Sequence, residues 1–136
     1  MTWRFKLFRN SYGNYFLPSN APNEVINDMK RGIFFDANII KVAEKYIRPG
    51  TNVLDVGANF GQMSILFSKL VGSDGKVYSF DADDYVFEVF KKNISANKCA
   101  NIEPVLAQYI ISTIRFFISP NRILSNLLPM VLMALN

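Results

Sequence analysis

The stretch NVLDVGANFGQMSILFSKLV, residues 52–71, constrains this chain more than any other. NVLDV reads as a buried strand. A loop with two glycines follows. Then Met63, Leu66, Phe67, Leu70 and Val71 recur at helical spacing and make one apolar stripe. The rhythm repeats downstream. GSDG is a turn and KVYSF a second strand. Asp83 or Asp84 can cap the next helix, which turns Val86, Val89, Phe90 and Ile94 inward. NIEPVL is a third strand, and its Pro104 cannot donate to a ladder, which predicts an edge position. Strands alternating with helices through short links predict right-handed crossovers and a parallel sheet.

The upstream part reads differently. WRFKLF alternates like a strand, and SYGNYFL follows with Gly13-Asn14 as the turn, so residues 3–17 are expected to form a hairpin. Asn23 can cap a short helix, EVINDMKR, that Gly32 ends. Asp36 can cap a second, with Ile39, Ile40, Ala43, Tyr46 and Ile47 on one face. Pro49-Gly50 ends it. The expected organisation is an N-terminal hairpin and helical lead-in over 1–48, then a sheet domain over 49–136. A chain of 136 residues, 50% hydrophobic and 19% charged, supports one real core and is not disordered.

Composition excludes several chemistries. The sequence has no His, which removes the commonest general base and metal ligand and the Ser–His and Cys–His nucleophile pairings. No metal is expected. The net charge of +4 comes without a Lys/Arg run or a basic helix face, so no nucleic-acid role is expected. The lone Cys99 cannot form an internal disulfide, and the opening MTWRFKLFRN has no signal-peptide apolar region. No apolar run approaches the ~20 residues that span a bilayer. A cytoplasmic protein with no transmembrane span is the expectation.

The loop selects a cofactor. A dinucleotide fingerprint from Gly57 needs glycines at 59 and 62, where this chain has Asn59 and Gln62. The loop instead reads D-x-G-x-N-x-G through Asp55, Gly57, Asn59 and Gly61. That is the spacing of the nucleotide loop in S-adenosylmethionine-dependent methyltransferases, with Asn for the middle glycine. Asn enters the left-handed backbone region more readily than other side-chain-bearing residues. Gly57 permits a sharp turn at the strand end, and Gly61 lets the helix start close against cofactor and sheet. Asp55 could meet the ammonium of a methionine moiety but would repel a pyrophosphate. Asp81 ends the second strand, where a carboxylate can accept from two ribose hydroxyls. Asp83 and Asp84 are better placed to cap the helix that follows.

The segment RPGTNVLDVGANFGQMSILFSKLVGSDGKVYSFDADDYVFEVFKKNISANKCANIEPVLA resembles the FkbM-type methyltransferases. The resemblance implies a class I methyltransferase fold, S-adenosylmethionine as cofactor, and methyl transfer to a small-molecule hydroxyl of a sugar or polyketide. It places Asp55, Gly57, Ala58, Asn59, Gly61 and Asp81 at the cofactor site and leaves the catalytic base unassigned. Ala82-Asp83 stands where that family usually has a proline. TIRFFISPNRILSNLLP, 113–129, is similar to a short strand and serine-rich loop of the family. The family's next strand, with Lys-apolar-Asp-x-Glu-Gly, has no counterpart. The expected fold class is therefore α/β, a Rossmann-like parallel sheet that is incomplete. It keeps the cofactor half-site, and an open sheet edge makes self-association possible. The alternatives are a non-catalytic S-adenosylmethionine-binding or protein-interaction module and, from another class, a nicotinamide-dinucleotide oxidoreductase fragment.

Overall fold

The computed structural model describes residues 4–21, 23–34 and 36–107. The tail segment resembling a short strand and serine-rich loop lies outside the described residues. Two antiparallel strands open the chain, β1 (Phe5–Asn10) and β2 (Gly13–Pro18). Helices α1 (Glu24–Arg31) and α2 (Ala37–Tyr46) follow. Then come β3 (Asn52–Val56), α3 (Gln62–Val71), β4 (Lys76–Asp81), α4 (Asp84–Ala96) and β5 (Ile102–Leu106). Strands β3, β4 and β5 pair in that order, and both pairings are parallel. Val53 lies opposite Val77, and Val77 opposite Ile102, all three buried. Among the described residues β5 is an edge strand, and it carries Pro104, whose missing N–H suits that position.

The hairpin forms where expected, but its turn does not. Asn10 pairs with Gly13, so Ser11-Tyr12 make the loop and Gly13-Asn14 belong to β2. Asn10 decides this. Its Oδ1 accepts from the Tyr12 N–H at 2.9 Å and the Gly13 N–H at 3.2 Å, an Asx turn that competes successfully with the Gly-Asn signal. Gly13 is small for another reason. A Cβ there would stand 2.6 Å from Asn97 Oδ1.

The helix caps follow the sequence. The side chains of Asn23, Asp36 and Asp83 accept from the N–H groups of Ile26, Asn38 and Val86 respectively. Gly32 ends α1 in the left-handed conformation. The inward faces are less faithful. Tyr46 is 63% exposed, because α2 fully buries only Ala43 before its cap Ile47. Helix α3 buries Ser64, Ile65 and Ser68 as well as Phe67 and Val71. Its two serines find side-chain acceptors in Asp55 and Asn101. One apolar cluster runs from Tyr15 and Leu17 of the hairpin through Phe60 and Ile65 to Phe90 and Ile102, across the boundary expected near residue 48. No helix among the described residues is long and apolar enough to cross a membrane.

Candidate functional site

The carboxyl ends of β3 and β4 lie side by side, with Val56 opposite Phe80. In an open parallel sheet, this is the end at which ligands bind. The chain leaving β3 turns at once through Gly57 at φ +84°, Asn59 at φ +51° and Gly61 at φ +91°. Three left-handed residues in five explain the composition. Two are glycines, and the third is the side-chain-bearing type that best tolerates this region.

The loop is tied to the end of β4. Both the Gly57 and Ala58 N–H groups donate to the Phe80 carbonyl at 2.9 Å. The Asn59 N–H donates to Asp81 Oδ2 at 2.7 Å, and the Asp83 N–H to Asp81 Oδ1 at 3.0 Å. Each Asp81 oxygen thus takes one backbone donor and keeps capacity for another. Asp83, not Asp81, caps α4. A Cβ on Gly57 would meet nothing within 4 Å, so that side of the loop opens on free space. Gly61 differs from the sequence expectation. A Cβ there would fall inside the Phe90 ring envelope, so its bareness serves the approach of α4.

Asp55 lies on β3, two residues before Gly57. Its Oδ2 accepts from the Ser64 hydroxyl at 2.5 Å. Burial pushes its carboxyl up to about 6, against the lowering effect of the Ser64 hydrogen bonds, and the Asp81 charge raises it further. The fold therefore brings together all six expected residues, Asp55, Gly57, Ala58, Asn59, Gly61 and Asp81, around one strand-end corner. Two contributors escape sequence reasoning. Ser64 reads only as a polar interruption of an apolar helix, yet it holds Asp55. Asn93 reads as a solvated residue of α4, yet it is fully buried and donates to the Phe60 carbonyl at 2.9 Å.

A sequence model of the ribosomal protein L11 methyltransferase family (PrmA) matches residues 37–136. The chain belongs to that family. The L11 methyltransferase of Acetivibrio thermocellus is 31% identical over 99 residues, 68% of this chain and 30% of that protein. The one from Dictyoglomus turgidum is 43% identical over 58 residues, 43% of this chain and 19% of that protein. The chain thus spans less than a third of the length of these relatives. Among solved structures, M. jannaschii TYW2 in complex with AdoMet superposes with a TM-score of 0.53 at 19% identity, covering 79% of this chain and 45% of that one. That likeness concerns the fold, a class I methyltransferase sheet present here in part. S-adenosylmethionine stands as the cofactor of this methyltransferase family and fold.

The family match corrects the resemblance to FkbM-type enzymes, and with it the small-molecule hydroxyl acceptor. The relatives are named for a ribosomal protein, so their acceptor is a protein. The physical reason for the misreading is simple. The D-x-G-x-N-x-G loop and the acid ending the next strand are patterns read for the cofactor, and S-adenosylmethionine is common to both families. They carry no information about the acceptor.

Proposed function

We propose that this chain forms the S-adenosylmethionine-binding part of a protein methyltransferase whose acceptor is a ribosomal protein, as in its L11 methyltransferase relatives. The observation that carries the reading is the corner where the Gly57–Gly61 loop meets the Asp81 carboxylate. The chemistry of the donors fits the cofactor. The bare side of Gly57 leaves room for it. Asp81 retains acceptor capacity for a pair of ribose hydroxyls. Asp55 offers a carboxylate to an ammonium, and two acids so close disfavour a pyrophosphate. Gly57, Ala58 and Asn59 form the backbone wall, and Gly61 sets where α3 begins. When bound, the cofactor supplies a methyl already activated on a sulfonium. The task left to these residues is to hold and orient it, since such transfers depend mainly on alignment.

Calorimetry with S-adenosylhomocysteine and with a nicotinamide dinucleotide tests this. Binding of the first and not the second is expected. Asp81→Ala should weaken the first by about 2–4 kcal/mol through the loss of two charge-assisted hydrogen bonds. Equal affinity of variant and wild type would remove Asp81 from the site. Preference for the dinucleotide would overturn the cofactor assignment.

A further inference from the structure

Among the described residues, strand β2 pairs only with β1, so its other edge would present bare N–H and C=O groups. Helix α4 and its C-cap close that edge with the side chains of Asn93 and Asn97. Asn97 Oδ1 accepts from the Asn14 N–H at 2.8 Å, and its Nδ2 donates to the Asn14 carbonyl at 2.6 Å. Asn93 repeats the pattern on Phe16, accepting from its N–H at 2.6 Å and donating to its carbonyl at 3.3 Å.

The two asparagines then diverge. The other Asn97 amide proton stays within α4, on the Asn93 carbonyl at 2.8 Å. The other Asn93 proton crosses to the Phe60 carbonyl at 2.9 Å. Phe60 lies inside the glycine loop, between left-handed Asn59 and left-handed Gly61. Asn93 is 0% exposed, and both its amide protons are committed to carbonyls of other elements.

A loop with alternating left-handed residues holds its shape only if its surroundings over-determine it. Asp81 and the Phe80 carbonyl restrain its first half. Asn93 grips its second half through Phe60. We infer that Asn93 is a positioning residue for the cofactor loop, and that the N-terminal hairpin, bonded to the same side chain, is the anchor that orients it. The hairpin is then part of the cofactor site without touching the cofactor. The inference rests on the proposed role of the loop, but the restraint itself is measurable without any ligand.

Asn97 supplies the control, since it closes the same edge from the same helix and does not reach the loop. The whole chain is compared as wild type, Asn93→Ala and Asn97→Ala, at a low temperature where melting curves show each to be folded. Two readouts are taken: hydrogen exchange of the Gly57, Ala58 and Gly61 amides in the free protein, and calorimetric affinity for S-adenosylhomocysteine. Asn93→Ala should speed loop exchange and weaken affinity by roughly tenfold each, the scale of one buried hydrogen bond. Asn97→Ala should lower the melting temperature comparably and leave both readouts at wild-type values. If Asn93→Ala does not fold, Asn93→Gln, which keeps the amide but displaces it, is read in the same way. Equal effects of the Asn93 and Asn97 variants on loop exchange, or none from either, would overturn the inference. Failure of the wild type to bind S-adenosylhomocysteine would strike the cofactor assignment alone, and loop exchange would still decide the role of Asn93.

Discussion

The glycine-loop corner and the hairpin–α4 seam lie on either side of Asn93 and are built on opposite principles. At the corner, polar groups keep spare capacity. Asp81 takes one backbone donor per oxygen, and Gly57 faces open space. Asp55 holds a carboxylate where burial disfavours its charge. At the seam, capacity is spent. Asn93 and Asn97 satisfy the N–H and C=O of Phe16 and Asn14, and Gly13 admits Asn97 because a Cβ would collide with it. The contrast separates a corner that leaves polar capacity open from a seam that uses it up. The seam closes an edge and fixes geometry. The corner accepts backbone strain and a partly buried carboxyl, costs that the proposed ligand role would explain.

The sharpest way to break the comparison is Gly61→Ala, where corner and core coincide. The new methyl would enter the Phe90 ring envelope, at a φ of +91° that L residues resist. Overpacking and the left-handed penalty together should lower unfolding stability by about 2–5 kcal/mol. Chemical denaturation measures it, and a loss under about 1 kcal/mol would mean that Phe90 moves aside freely.

Asp55→Asn should act in the opposite direction. The folded carboxyl is raised from 3.8 to about 6, so the protonated form is the one the fold prefers. The stability of that form is complete below the unfolded value and is lost as pH rises through about 6. At about pH 7.5 the neutral amide should therefore be the more stable by about 1–3 kcal/mol, and the two proteins should converge below about pH 4. S-adenosylhomocysteine binding should fall in the variant, and in the wild type as pH drops through about 6, because an ammonium needs the ionised carboxylate. Melting curves at the two pH values check the first expectation and a calorimetric pH series the second. A variant that is less stable at high pH would show that Ser64 compensates the partly buried charge.

The smallest effect probes the seam itself. Tyr15 Oη is buried beside Gly13 with no hydrogen-bond partner among the described residues. Tyr15→Phe should keep the packing and raise stability by about 1 kcal/mol, the desolvation cost of an orphaned hydroxyl. A loss on denaturation would reveal a partner for that hydroxyl.

Local chemistry made much of this fold legible. Asn23, Asp36 and Asp83 cap helices because a short polar side chain before an apolar period finds free N–H groups wherever it stands. Pro104 marks an edge because it has no N–H to give. Asp55, Gly57 and Asp81 could be placed together at one strand-end corner because a strand-end loop and a strand-end acid are local patterns. The turn at Ser11-Tyr12 was harder, because two competing local signals stand three residues apart and Asn10 decides between them.

By itself, the sequence determined the strand–helix alternation, the cofactor class and the corner residues, since each depends on spacing within a few residues. Only the tertiary structure decided that Gly61 yields to Phe90, that Ser64 holds Asp55, and that Asn93 joins hairpin to loop. Those contacts link residues 9 to 77 positions apart. A buried polar side chain such as Asn93 looks like a solvated one until the elements that need its hydrogen bonds are folded around it.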